Sequence, residues 1–188
     1  MKQIILASSS PRRQEILKNL HLDFCIIPSL YKEKLDNDIF EYKKIENLAY
    51  NKALSVLETI NYDAIIVAAD TVVVLDNKIL GKPKNKEHAF EMLNMLSGKE
   101  HFVVTSICLI DVLSKRKKIS STTSYVEFNN LTEEMIKDYI NNYNPLDKAG
   151  AYGIQELPSG FIKNINGSFE NIVGLCPKSL NKLMSKLL

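Results

Sequence analysis

Twelve consecutive residues, Ala64 to Leu75, are apolar and largely β-branched except for Asp70 and Thr71. The run is well short of the ~20 residues that cross a bilayer. It also lacks the apolar–polar alternation of a half-exposed strand, so it predicts a central strand buried on both faces, the kind that helices cover in α/β folds. An unpaired carboxylate in such surroundings costs several kcal/mol or titrates abnormally, so Asp70 needs a metal ion, a cation or a hydrogen-bonded water beside it. Two readings of Asp70 stay open. It is a metal ligand or general base inside the strand, or it stands at the strand's end and caps a surface loop.

Around this strand the pattern alternates. Residues 3–7 read as a first strand, Ser8-Ser9-Ser10-Pro11 as punctuation, and Ile16, Leu17 and Leu20 as one face of a helix. Phe24 to Pro28 reads as a second strand and 29–38 as a polar loop that contains Glu33. From Glu41 to Ile60, apolar residues at helical spacing predict a long helix, with Lys52 one position off the stripe. Lys78-Ile79-Leu80 pairs back across Asp76-Asn77. A helix over 86–96 stops at Ser97-Gly98, where glycine takes the left-handed cap conformation. Phe102–Val112 and Ile119–Phe128 form a hairpin around Lys115-Arg116-Lys117-Lys118, and Thr132 caps a helix that runs through Ile140. A strand near 161–165 and a helix after Pro177 complete the chain.

The whole is expected to be a single domain, residues 1–188, with 45% hydrophobic and 24% charged residues, which excludes a disordered or collagen-like polymer. Lys and Arg number 24 against 22 Asp and Glu, so any anion site must be local and no specific nucleic-acid partner is expected. No apolar run is long enough for a membrane helix, and the amino terminus reads as a strand rather than a signal peptide, so the expected location is cytoplasmic. Cys25, Cys108 and Cys176 form no C-x-x-C pair and are expected as reduced, mostly buried thiols.

Four segments ask for a chemical explanation. In Ser8-Ser9-Ser10-Pro11-Arg12-Arg13, two arginines oppose the positive end of a helix dipole, at a cost of a few tenths of a kcal/mol each. Backbone N–H groups, serine hydroxyls and two guanidinium forks there would make a phosphate site. The alternative is a solvated helix start whose arginines pair with Glu15 or another carboxylate. Asp70 is the second. The third, Gly81-Lys82-Pro83, places an exposed lysine between a residue that permits close approach and one of fixed φ. By itself Lys82 is an ordinary turn lysine. The fourth, Pro145 to Gln155, mixes small residues with Asp147, Lys148 and Gln155. Single histidines at 21, 88 and 101 lack ligand spacing and are expected at surface or helix positions. Phosphate-binding G-x-x-x-x-G-K-[ST] and G-x-G-x-x-G loops and the G-x-S-x-G elbow are absent.

Taken in order, Leu6 to Arg13, Ala69-Asp70-Thr71-Val72-Val73, Gly81-Lys82-Pro83, Leu96-Ser97-Gly98 and Asp147 to Gln155 resemble the Maf family of nucleoside triphosphate pyrophosphatases over nearly the whole chain. The resemblance implies a mixed α/β fold, an elongated central sheet flanked by helices with two lobes around a nucleotide cleft. It also implies cleavage between the α and β phosphates with a divalent metal, Mg²⁺, Mn²⁺ or Co²⁺. Asp70 matches the family's proton acceptor and Glu33 a loop carboxylate near the metal. Ser9 belongs to the matching serine loop, and Arg12, Arg13, Lys52 and Lys82 match cations around the triphosphate. Arg12, Thr71 and Gln155 resemble the branch that prefers dTTP and UTP. The branch that prefers 7-methyl-GTP tends to carry Trp, Gln and Glu at those places. Family members are often dimeric, so a homodimer is one expectation. Gly174-Leu175-Cys176-Pro177 departs from the family, which usually has proline directly after leucine.

Physically, a triphosphate carries about four negative charges, which these four cations and a metal would neutralise while fixing the α-phosphorus in line with a water. Asp70, alone or with Glu33, would hold the metal or accept the water's proton. The rival from another class is a nucleotide sensor or nucleic-acid module using the same basic cleft. Carboxylates among the cations argue against plain nucleic-acid binding, because they repel phosphate unless a metal intervenes.

Overall fold

The computed structural model describes residues 2–32 and 39–187. Seven strands form one mixed sheet: β1 (Gln3–Leu6), β2 (Phe24–Ile26), β3 (Ala64–Leu75), β4 (Lys78–Leu80), β5 (Glu100–Asp111), β6 (Lys117–Phe128) and β7 (Ile162–Asn166). Their order is β2-β1-β3-β5-β6-β7, with β4 also paired to β3. β1 lies parallel to both β2 and β3, and every other pair is antiparallel. The helices are α1 (Pro11–Asn19), α2 (Tyr42–Leu57), α3 (Lys86–Leu96), α4 (Glu133–Asn142), α5 (Phe169–Val173) and α6 (Pro177–Leu187).

β3 is the central strand that its composition requires, with eleven of its twelve residues buried. One of its edges is paired with β5 from Ile65 to Val74. The other edge is shared. β1 pairs with Gln3↔Ala64 through Leu6↔Val67, and β4 with Val73↔Leu80 through Leu75↔Lys78. Neither strand reaches residues 68–72. The sheet therefore forks, and Asp70 and Thr71 lie in the fork.

Strand alternation gives each face of β3 its own cover. On one face Ile66 and Ala68 pack with Ala49, Ala53 and Val56 of α2, while Val72 and Val74 form a second cluster with Ile45 and Leu48. On the opposite face Val67 and Ala69 pack with Leu17 of α1 and Leu180 and Leu183 of α6. Further along that face, Val73 and Leu75 pack with Leu93 and Leu96 of α3 and Tyr139 of α4. On both faces the apolar core changes cluster at Asp70–Thr71. Those two residues mark the boundary between two lobes that share β3, β5 and β6.

Three details differ from the sequence reading. His101 is neither on the surface nor on a helix; β5 begins at Glu100, two residues earlier than expected, which turns His101 inward at 2% exposure. Its Nε2 lies 2.7 Å from the Tyr152 hydroxyl, and burial pushes its pKa down to about 4. Half of the basic turn belongs to β6, where the Lys117 ammonium sits 3.8 Å over the Tyr50 ring. The five-residue helix α5 interrupts what reads as a plain connection after Asn166-Gly167. All three cysteines are free thiols, Cys108 and Cys176 buried and Cys25 partly exposed.

Candidate functional site

A cavity of about 380 Å³ opens at the fork, within the usual range for small-molecule sites. Ser9, Arg12, Arg13, Lys52, Asp70, Thr71, Lys82 and Gln155 all line it. Glu33, the second carboxylate that the resemblance implies, lies outside the described residues.

Asp70 is mid-strand and 3% exposed, so it does not cap a loop at the strand's end. On the α2 face of the sheet it forms an ion pair with the Lys52 ammonium, itself buried. The helix stripe explains how Lys52 reaches it. Residues 49, 53 and 56 bury against the even-numbered positions of β3, and Lys52 lies beside them, one turn from Leu48 and Val56.

Thr71 points to the opposite face, where it meets Arg13. The Arg13 guanidinium donates from Nε to the Gly174 carbonyl at 2.9 Å, from Nη2 to Thr71 Oγ1 at 3.1 Å, and from Nη1 to Ser8 Oγ at 3.3 Å. Gly174 ends α5 with φ +134°, a conformation strained for any residue with a side chain, and this turn aims its carbonyl at Arg13. Arg12 reaches across the cavity mouth to Asp147, Nη1 to Oδ2 at 3.5 Å. The partners found for the two arginines are thus a cross-cleft carboxylate, hydroxyls and a carbonyl rather than Glu15.

The segment 144–156 forms the far wall. Lys148 is 5% exposed; its ammonium donates to the Asn144 carbonyl and to Asp147 Oδ1 at 2.9 Å, and it forms an ion pair with Glu156 Oε2 at 3.0 Å. Burial raises the Asp147 pKa, but the Lys148 and Arg12 charges outweigh it and the net shift is downward. Gly150, with φ +65°, brings the backbone so close to Val73 that a Cβ would stand 2.9 Å from Cγ2. Its N–H donates to the Gly81 carbonyl at 3.0 Å, tying this wall to the loop that carries Lys82. Gly81 itself meets nothing within 4 Å where a Cβ would stand, so the close approach expected of it is not found.

The sequence reading overlooked the supports beneath this lining. Thr105, fully buried, lies behind Thr71, Asn171 holds α5 from its buried side, and Lys148, which lines the cavity, also clamps the wall. A polar residue within the run 102–112 does not single out Thr105, because Ser106 and Asp111 interrupt the same run. Among the described residues, no group of three or more His, Cys, Asp or Glu side chains could hold a metal, and no helix is long and apolar enough to cross a membrane.

The comparisons with known proteins agree with this fold. The solved Ham1 protein of Staphylococcus aureus aligns over 100% of both chains with a TM-score of 0.54 at 16% identity. A HAM1 protein from Coxiella burnetii aligns over 99% of this chain and 100% of that one with a TM-score of 0.52 at 14% identity. These two share the fold. A protein of Ruminiclostridium cellulolyticum named dTTP/UTP pyrophosphatase is 44% identical over 188 residues, covering 100% of this chain and 97% of the relative. One of the same name from Clostridium botulinum (strain Kyoto / Type A2) is 46% identical over 193 residues, with coverages of 100% and 97%. The profile of the family described as Maf-like protein matches residues 3–187, and on that match and these full-length identities the chain belongs to the Maf family.

Proposed function

We propose that this chain is a nucleoside triphosphate pyrophosphatase that hydrolyses dTTP and UTP to the monophosphate and pyrophosphate in a single domain, residues 1–188. The observation that carries the reading is the convergence at one fork of a buried Asp70–Lys52 pair with Arg12, Arg13 and Lys82, contributed by four separate segments of the chain. The name shared by relatives at 44% and 46% identity supports the choice of nucleotide.

Arg13, held on three sides, presents a fixed charge to the phosphates, and Lys82 brings a second from the opposite lobe. Asp70 accepts the proton of a water aimed at the α-phosphorus, and Lys52 fixes the orientation of that carboxylate. Because its charge partners are preset, little reorganisation accompanies the reaction. Arg12 and Gln155, on opposite sides of the cavity, contact the nucleoside end.

The donors present suit a hard divalent cation that takes most of its ligands from phosphate oxygens and water and only one or two from protein carboxylates. Asp70 would be that ligand. Such an ion, Mg²⁺, Mn²⁺ or Co²⁺, would neutralise phosphate charge and stabilise the departing pyrophosphate. The reaction belongs with the cytoplasmic nucleotide pool.

The test is incubation with dTTP, UTP, CTP, ATP and 7-methyl-GTP, with and without Mg²⁺ or Mn²⁺, with products resolved by chromatography. Metal-dependent dTMP or UMP with pyrophosphate is the expected result. Diphosphate with orthophosphate would mean that water attacks at the γ-phosphate and would overturn the cleavage position. No product from any nucleotide would overturn the enzyme reading in favour of a sensor.

A further inference from the structure

Thr105 touches nothing in the cavity, yet its hydroxyl ends a chain of hydrogen bonds that begins at Arg13. Arg13 Nη2 lies 3.1 Å from Thr71 Oγ1, Thr71 Oγ1 lies 2.9 Å from Thr105 Oγ1, and Thr105 Oγ1 lies 2.7 Å from the Asn171 carbonyl. The chain has a single polarity. A guanidinium only donates and a carbonyl only accepts, so Thr105 spends its one proton on Asn171 and must accept from Thr71. Thr71 in turn gives its proton to Thr105 and offers a lone pair to Arg13. Thr105 is fully buried, and its acceptor is fixed as well. The Asn171 side chain donates to the Val103 carbonyl at 3.2 Å and to Ser124 Oγ at 3.1 Å, which locks α5 to the sheet.

Without the Thr105 hydroxyl, the next acceptor for the Thr71 proton is the Gly174 carbonyl at 3.5 Å. That carbonyl already receives Arg13 Nε. It has a second lone pair to accept the Thr71 proton, but reaching it rotates the Thr71 hydroxyl so that its lone pair turns away from Nη2. Of the three contacts that aim the guanidinium, the one to Thr71 is lost and the one to Gly174 is weakened by sharing, which leaves Ser8.

We propose that Thr105 is a positioning residue for nucleotide binding, which sets the donor–acceptor polarity of Thr71 and through it the orientation of Arg13. The proposal rests on the reading of Arg13 as a triphosphate ligand. Thr71 then acts on the substrate at least in part through Arg13 rather than by direct contact alone.

The experiment is a double-mutant cycle in KM and kcat for dTTP with Thr71→Val, Thr105→Val and the double variant, all in the full chain. Hydrogen bonds to charged groups are worth enough that each single substitution should raise KM about tenfold, with a smaller change in kcat. Because the two hydroxyls act in series, the double variant should be no worse than the poorer single. Thr105→Ser, which keeps the hydroxyl, should stay within about twofold of the parent. Fold-changes that multiply in the double variant, an unchanged KM in Thr105→Val, or a Thr105→Ser variant as impaired as Thr105→Val would each overturn the proposal. If Thr105→Val does not fold, Thr105→Ala carries the same cycle. Arg13→Ala separates the two levels of the argument. A KM unchanged in that variant defeats the reading of Arg13 itself, whereas a large rise there with additive threonine effects defeats only the chain.

Discussion

Acidification should destabilise the protein through His101 in a defined window. In the unfolded chain this imidazole titrates near its ordinary value of 6.5, and in the fold burial lowers it to about 4. Between those values the unfolded state holds a proton that the folded state excludes, so stability is complete above pH 6.5. It is lost progressively as the pH falls towards 4, and this group adds no further loss below that. At 1.36 kcal/mol per tenfold change in proton affinity, the full loss is about 3 kcal/mol. That is a large share of the roughly 5–15 kcal/mol that stabilises an ordinary domain. The assay is urea unfolding at intervals from pH 7 to pH 4, comparing the parent with His101→Phe. Carboxylates contribute to the acid limb of both proteins. Asp111, for example, is held at about 2, chiefly by the Lys2 ammonium at 2.7 Å, and its contribution fades only as the pH falls from near 3.8 towards 2. The difference between the curves therefore isolates the imidazole. The variant should be the weaker protein at pH 7, since Tyr152 loses a partner, but the gap should narrow by about 3 kcal/mol by pH 4. Curves that stay parallel would refute the argument that burial, rather than a charge partner, governs this histidine.

Three further outcomes follow from the site. Asp70→Asn should lower kcat by about a hundredfold or more while nucleotide still protects the protein thermally, as expected for loss of a general base; near-parental turnover would remove Asp70 from that role. Combining Arg12→Trp, Thr71→Gln and Gln155→Glu should reorder the ranking of dTTP, UTP and 7-methyl-GTP in competition assays, and an unchanged ranking would show that these positions do not read the base. Lys148→Met leaves Asp147 and Glu156, both partly solvated, without their shared cation, so it should cost about 1–2 kcal/mol in urea unfolding; a loss under about 0.5 kcal/mol would mean that the clamp carries little stability.

Much of the fold is legible in the sequence because burial leaves a periodic record. The run 64–75 has one fully buried solution, and the apolar stripe of α2 fixes which face meets the sheet. The record fades where geometry depends on partners distant in sequence. Periodicity places Lys52 beside the stripe but cannot say that a carboxylate waits opposite it, 18 positions on. Misplacing the start of β5 by two residues left His101 outside the strand and hid its inward aim. α5 is too short to show a helical period, although Ser168 caps it and Gly174 ends it. Thr105 carries no signal by itself. Its meaning comes from Thr71 across the β3–β5 ladder and from a carbonyl 66 residues away.

The shared strands have a mechanical consequence. A pair of lobes joined by a loop swings on a hinge, but here β3, β5 and β6 pass unbroken from one lobe to the other. Widening the jaw must bend or twist a continuous three-strand ribbon, so the deformation spreads along its length like flexure in a leaf spring. Displacement grows with distance from the crossing point. Asp70 sits at that point and moves least. The carboxylate thus serves as the fixed jaw of a vice whose other members adjust around it.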